Sequence, residues 1–326
     1  MYDILSVGDA TMDHLAVVED ASVNCSINQD HCLLCFTYAD KIPIKKLSHE
    51  VAGNAANNAV GSARLGMKTA FWTILGSDSG GKQIHQKMID EGVDPVYVEL
   101  HEGEETNNSI VLNYHAERTI LIYHVNRQYK VPKLEKAEWM YLTSMGHGWE
   151  VISEDIITYV NENKVKMAFN PGTFQLKSGM EVLRPLFQVC EVLFVNKEEA
   201  ETLVNNGKPG DISFLLMALK KEGPKIVVIT DGSKGAYAYE GKDAYSMGIC
   251  KASVVEKTGA GDAFGTAFVV ALHNGKSIQD AMMWGTANSG SVVEKIGPQA
   301  GLLRKGEIDY VINDRCVVEH IEPKKM

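Results

Sequence analysis

The chain opens on a short apolar run, "YDILSVGD" (2–9), that stops at a Gly-Asp turn signal. A run of this length bounded by a turn predicts a buried first strand. Residues 14–50 then carry alternating and broken patterns ("HLAVVED", "CLLCFTYAD", "KIPIKKL") with no helical period, and predict the strands of a small projecting sheet. In "GNAANNAVGSARLG" (53–66), Ala56, Ala59, Val60, Ala63 and Leu65 fall at helical spacing and Gly66 supplies a stop, which predicts a helix. A strand over 68–76, an amphipathic helix over 80–92 and a strand over 93–100 begin a βαβ rhythm. Two β-rich runs, "NSIVLNYH" and "RTILIYHV", flank "AE" within 108–125 and predict a hairpin beside the projecting sheet.

From residue 138 the alternation becomes regular. Strands "WMYLTS", "KMAFNPG", "EVLFVN" and "KIVVITDG" are separated by helices over 150–163, near 178–188, 197–205 and 211–222. A hairpin-like pair, "GAYAYEGKDAYSMG", and helices over 260–274 and 277–290 close the pattern. Strands alternating with covering helices imply a largely parallel sheet buried on both faces. The predicted fold is a single three-layer α/β/α domain over 1–326, with a β lid drawn from about 14–50 and 100–127.

Composition narrows the partners. Of 326 residues, 45% are hydrophobic and 23% charged, and the formal net charge is −10. That acidity argues against a nucleic-acid groove, which relies on clustered Lys and Arg. No apolar run reaches the roughly 18–20 residues of a membrane span, and the N-terminus lacks a basic region followed by an apolar stretch. The reading is a soluble, cytoplasmic protein with a small-molecule partner and neither membrane nor nucleic acid. Six cysteines are too sparse for a disulfide scaffold, although Cys25, Cys32 and Cys35 cluster.

The chemistry concentrates in "KTGAGDAFGTAFVVAL". Gly259 and Gly261 let successive N–H groups point outward where a helix begins, an arrangement that favours an anion. The dinucleotide fingerprint follows the first strand as G-x-G-x-x-G, whereas this turn is late and reads G-x-G-x-x-x-G, and the Walker lysine is missing. A pyridine-nucleotide dehydrogenase therefore does not fit. Asp262 beside the nest has two readings. It removes a proton from a hydroxyl that then attacks phosphorus, or it is a first-turn carboxylate that satisfies the helix dipole.

"TGAGDAF" resembles the C-terminal signature of the ribokinase-like (PfkB) carbohydrate and nucleoside kinases, and "AGNAANNAVGSARLG" resembles their N-terminal glycine signature. The resemblance runs from "SVGDATMDHL" to "KIGPQAGL". It implies a ribokinase-like fold and transfer of the γ-phosphoryl of ATP, with Mg²⁺, to a hydroxyl of a small sugar. A nucleoside kinase, a sugar-phosphate kinase and a non-catalytic sugar- or nucleotide-binding protein are the alternatives, and ADP remains open as donor. Carried over by position, Asp262 is the base, and Gly259, Ala260 and Gly261 form the anion hole. Asp13, Gly53, Asn54 and Asn57 hold the substrate. Asn196 and Glu199 in "VNKEEAE" organise the Mg²⁺-nucleotide through water, with Thr230, Gly232, Gly235 and Thr258 by the phosphates and Asn288 at the adenine. Read locally, Asn196 and Glu199 equally make a capping box, the 232–235 glycines a hairpin turn, Asp13 a loop cap and Asn57 a helix surface residue.

The sequence departs from the family pattern at several positions. Glu256 replaces the aspartate of D-T-T-G-A-G-D that helps hold a monovalent cation; it keeps the charge on a longer arm, so activation by K⁺ stays open. Lys257 follows it, Ala52 replaces the first glycine of G-G-N, and Asn170 stands where many members have Asp. Asn54 occupies a position where phosphosugar kinases often carry Lys, which favours a neutral acceptor. Arg127, Lys130, Lys41, Lys45 and Lys46 are the cations available to a phosphorylated one. Cys25, Cys32 and Cys35, with His31 or His49, are candidate ligands of a structural Zn²⁺ in the lid, against plain packing or a reactive thiol pair. The unpaired edges of a small lid sheet predict a homodimer through it.

Overall fold

The computed structural model describes residues 1–25, 32–115, 117–205, 207–316 and 324–325. Strand β1 (Tyr2–Val7) leads into β2 (Thr11–Val18), the short pair β3 (Ser22–Cys25) and β4 (Cys32–Cys35), and β5 (Ile44–Ala52). Helix α1 (Asn54–Arg64), β6 (Thr69–Gly76), α2 (Ser79–Asp90), β7 (Asp94–His101), β8 (Asn108–Tyr114) and β9 (Glu117–Tyr123) follow. The regular half runs β10 (Ala137–Leu142), α3 (Ser153–Asn163), β11 (Lys166–Phe169), α4 (Thr173–Ser178), α5 (Met180–Gln188), β12 (Cys190–Asn196), α6 (Lys197–Asn205), α7 (Ile212–Lys221) and β13 (Ile226–Thr230). It ends with β14 (Ala236–Tyr239), β15 (Asp243–Met247), α8 (Ala260–His273), α9 (Ile278–Val292), α10 (Glu307–Arg315) and β16 (Lys324–Lys325).

The central sheet has the order β16-β15-β14-β13-β12-β11-β10-β1-β6-β7. It is parallel from β7 to β13 and antiparallel beyond. Every residue of β6 is buried, as a strand covered on both faces requires. Trp72, Trp139 and Trp149 lie fully inside the core. Helix α8 is apolar on nearly every side because it is itself core, packed against α1 and α9. The three-layer α/β/α architecture is the one the alternation predicts. The helix expected near 178–188 is α5, and the short α4 that precedes it across Gly179 was not expected. Helix α10 was missed; only Ile308 and Val311 are buried on it, too little apolar pattern to stand out.

A second sheet, β5-β2-β8-β9, caps one end of the domain. Its strands cover 11–18, 44–52, 108–114 and 117–123, while residues 94–101 belong to the central sheet. The β3–β4 pair is a separate two-stranded sheet. Within it Cys25 and Cys32 face each other in register and are disulfide-bonded, which corrects the zinc reading: two of the three expected thiolates are spent on each other. Cys35 remains a thiol that accepts from Asn24 Nδ2 at 3.4 Å, and His49 sits against His14 at 2.6 Å. His31 lies outside the described residues, and among these no three His, Cys, Asp or Glu side chains are grouped to hold a metal. A second disulfide joins Cys250 to Cys316. Among the described residues no helix is long and apolar enough to cross a membrane.

Arg64 ties the end of α1 to α2 and to the segment that follows α9. Its Nε and Nη2 donate to Glu91 at 2.8 and 2.6 Å, and Nη1 donates to the Gln299 carbonyl at 2.6 Å. These hydrogen bonds, working against burial and helped by Lys87, pull the Glu91 carboxyl down to about 2. A lowered carboxyl stabilises the fold above its ordinary value and loses that contribution as pH falls through the folded value, here from 4.5 toward about 2. Arg64→Ala is expected to cost about 3 kcal/mol, the low end for a broken buried pair because Lys87 remains. Urea unfolding at neutral pH and at pH about 3 checks both the loss and its shrinkage in acid, where Glu91 of the variant is protonated.

Candidate active site

The site lies where the parallel strands end. Asp9 follows β1, Ser144 follows β10, Asn170 follows β11, Asn196 ends β12 and Thr230 ends β13, and all line one cleft of about 540 Å³. Open α/β sheets bind ligands at this edge. The lid sheet forms the roof: Asp13 of β2, Ser109 of β8, and Arg118, Ile120 and Ile122 of β9 face inward. The last three share a face because strand side chains alternate.

At the centre α8 begins. Gly259 caps it with φ 78, a conformation natural to glycine, and a Cβ there would stand 2.6 Å from that of Pro298. The first N–H groups of any helix lack intrahelical acceptors, and Gly259, Ala260 and Gly261 open onto the cleft. Asp262, in the first turn, is buried, and its Oδ2 accepts from Asn57 Nδ2 at 2.8 Å. Burial pushes its carboxyl up to about 6, while the Asn57 amide and the Arg118 charge hold it back from rising further. A carboxylate so placed takes a proton readily near neutral pH.

Behind this turn Glu256 is buried, accepting from the Thr258 hydroxyl at 2.7 Å and from the Gly297 N–H at 2.8 Å. Both oxygens therefore brace the anion turn against the 297 loop. Lys257 forms an exposed ion pair at 2.6 Å with Glu117 at the start of β9, so the lid touches the anion turn directly.

At the end of β12, the Asn196 N–H donates to Glu199 Oε2 at 2.8 Å and the Glu199 N–H donates to Asn196 Oδ1 at 2.9 Å. This is the capping box of the local reading, and both residues nonetheless face the cleft. Burial pushes Glu199 up to about 7; the Asn196 N–H opposes the rise, and the charges of Asp262 and Glu198 add to it.

Gly53 takes φ 97 where α1 starts, and a Cβ there would stand 2.7 Å from Ala10 Cα, so the helix abuts the β1–β2 turn. Asn54 and Asn57 follow along α1. Asp13 is buried with Oδ1 unpartnered, and burial raises its carboxyl to about 6 against the Ser109 hydrogen bond.

Twelve expected positions thus converge: Asp13, Gly53, Asn54, Asn57, Asn196, Glu199, Thr230, Thr258, Gly259, Ala260, Gly261 and Asp262. Three stand apart. Gly232 and Gly235 close the β13–β14 turn, where the Asp231 N–H donates to the Gly235 carbonyl at 2.8 Å. Asn288 is fully buried away from the cleft; its amide donates to the Ala263 carbonyl at 2.8 Å and its oxygen accepts from the Leu303 N–H at 2.9 Å, so both ends hold α8, α9 and the following segment together.

None of Arg127, Lys130, Lys41, Lys45 and Lys46 lines the cleft. Arg127 is buried against Glu104, and Lys45 pairs with Glu19 at 2.6 Å. The cations that line the cleft are Lys257 and Arg118, and sequence reasoning missed the second. Asp9 and Gln299 were missed as well. Asp9 accepts from the Tyr129 hydroxyl and the Gly146 N–H, both at 2.8 Å, and burial raises it to about 6. The inward face of β9 and the acidic turn after β1 are the signals that would have found the first two.

Known proteins share this fold. The model of the pfkB family carbohydrate kinases matches residues 12–305. A ribokinase of Haemophilus influenzae is 30% identical over 301 residues, covering 86% of this chain and 94% of that protein. A 5-dehydro-2-deoxygluconokinase of Halalkalibacterium halodurans is 26% identical over 284 residues, covering 81% and 86%. Among solved structures, Arabidopsis thaliana ribokinase complexed with ribose and ATP superposes with a TM-score of 0.77 at 23% identity, over 95% of this chain and 98% of that one. A nucleoside kinase of Burkholderia thailandensis in complex with inosine gives 0.75 at 16% identity, over 95% and 97%. The chain belongs to the pfkB family of carbohydrate kinases, and it is a phosphotransferase of sugars or nucleosides.

Proposed function

We propose that the protein transfers the γ-phosphoryl group of ATP to a hydroxyl of a small neutral sugar, with Asp262 as the base. The observation that carries this reading is the buried Asp262 carboxylate, held by Asn57 and raised to about 6, directly beside the backbone N–H groups that open α8. One element thus presents a proton acceptor for the attacking hydroxyl and donors for the charge on the transferred group. Asp13, with an unpartnered buried oxygen, and Asn54 offer acceptors and donors for sugar hydroxyls.

Asn196, Glu199 and Thr230 face the opposite end of the cleft and would organise the nucleotide. Their oxygens suit Mg²⁺, which keeps most of its own waters and needs no protein cage. Glu199, raised by burial and by the Asp262 and Glu198 charges, is the carboxylate that a nearby divalent cation would return to its ionised form. When bound, Mg²⁺ supplies neutralisation of phosphate charge. The lid excludes water, which would otherwise take the phosphoryl group.

A coupled assay over neutral sugars, sugar phosphates and nucleosides, with ATP and with ADP, tests the reading. A neutral sugar with ATP is the expected best pair. A preference for a sugar phosphate would make Arg118 the cation that pairs with the phosphate of the acceptor, and turnover of none would favour a binding protein.

The outward face of β9 exposes Leu121 and Tyr123, and Leu47 and Ile110 are exposed on β5 and β8. We propose that this sheet pairs with a second copy. Light scattering at micromolar concentration is expected to return a dimer mass, and a monomer would exclude the pairing.

A further inference from the structure

We propose that Gln299 is a positioning residue for the base: its side-chain amide fixes which end of the Asn57 amide meets Asp262. Gln299 Nε2 donates to Asn57 Oδ1 at 3.1 Å, and Asn57 Nδ2 donates to Asp262 Oδ2 at 2.8 Å. All three side chains are buried, with 6%, 3% and 7% of their surface exposed, so no bulk water substitutes for a missing partner. The inference rests on the reading of Asp262 as base.

The direction of this relay follows from donor and acceptor inventory alone. An ionised Asp262 only accepts, so Asn57 must present its NH₂ group to it. The Asn57 carbonyl then points the other way and requires a donor. Gln299 is the residue that supplies one, and its backbone is pinned for the task by Arg64, whose Nη1 donates to the Gln299 carbonyl at 2.6 Å. Gln299 Oε1, left over, is buried without a partner, which is the residual cost of holding Nε2 on Asn57.

Without the Gln299 donor, the Asn57 carbonyl is left buried without its partner and only Asp262 still favours the NH₂-inward orientation, so that preference weakens. Turned over, the amide sets a carbonyl oxygen against the carboxylate, an arrangement that favours protonated Asp262 and withdraws the base. The other groups that sense Asp262 sit on separate elements: Arg118 on β9, Glu199 at the start of α6 and Tyr141 on β10. None of them touches Gln299 through a hydrogen bond, so a change at 299 reaches Asp262 through Asn57.

The test is the pH profile of kcat/KM for phosphoryl transfer by the full chain. Gln299→Met, similar in length and uncharged, is expected to move the acid limb upward by about half a unit to one unit. Asn57→Leu should move it at least as far, and Gln299→Met should add nothing in the Asn57→Leu background, because the cycle removes the route by which 299 acts. Gln299→Asn, a shorter amide, should recover part of the shift. Partial unfolding lowers the amplitude of the profile without moving its limb, so the position of the limb separates positioning from stability. An unmoved limb in active Gln299→Met, or a full additional shift in the double variant, would overturn the proposal. If Asp262→Asn itself kept full activity, the reading of the base would fail instead.

Discussion

Asp262→Asn lowers kcat by about 10²–10⁴-fold, the range for removal of a positioned general base, while leaving the fold intact. The substituted amide has the same shape and can still accept from Asn57, so the buried hydrogen bond survives and only proton acceptance is lost. The pH profile carries a second signature. Because the folded carboxyl sits at about 6, kcat/KM of the native protein is expected to hold at neutral pH and to fall as pH drops through that value and Asp262 protonates. In Asp262→Asn the residual activity loses this limb, and Glu199, held ionised by the divalent cation of the assay, puts none in its place. Rates of acceptor phosphorylation between pH about 5 and 8 check both points.

Gly259→Ala has the second largest expected effect. A side chain at φ 78 is strained, at roughly 1–2 kcal/mol, and the new Cβ would meet Pro298 Cβ at 2.6 Å and its Cα at 2.8 Å. Pro298 follows Gly297, whose N–H holds Glu256, so neither side of the contact yields without disturbing the anion turn. The turn shifts, and its N–H groups leave the position where charge develops. Loss of one such donor typically costs about 10²–10³ in kcat. The expected result is a fall of that order in kcat with a modest change in the acceptor KM, measured by steady-state kinetics. Equal losses from Gly259→Ala and Gly261→Ala would argue against it, since a Cβ at 261 meets nothing within 4 Å.

Much of this was legible in the chain because it is periodic or local. The β–α alternation after residue 138 reflects strands covered on both faces, and the two glycine motifs mark close backbone approaches that only short residues permit. What escaped depends on partners distant in sequence. Arg118 and Arg127 lie nine positions apart and look interchangeable, yet β9 turns the first into the cleft while Glu104 captures the second.

Asn288 sits on a helix near the site, and its fate is decided by two backbone groups on other elements. Cys25 and Cys32 resembled metal ligands until strand pairing set them opposite each other. Gln299 carries no signal of its own, because an amide in a "GPQAG" loop acquires meaning only when Asn57, 242 residues away, comes within 3.1 Å.

The same distinction answers the oddity of Glu256-Lys257 beside a phosphate cradle. Glu256 faces inward and braces the turn through Thr258 and Gly297, and Lys257, which lines the cleft, reaches the lid through Glu117.

The most direct test of the central claim follows the label of γ-phosphorus-labelled ATP in the presence and absence of the best neutral sugar acceptor, for native protein and Asp262→Asn. A phosphotransferase with Asp262 as its base predicts that the label moves to a sugar phosphate ester, that little reaches water when the acceptor is omitted, and that Asp262→Asn abolishes nearly all of the transfer. Release of label to water at the same rate with or without a sugar, or undiminished transfer by Asp262→Asn, would contradict it.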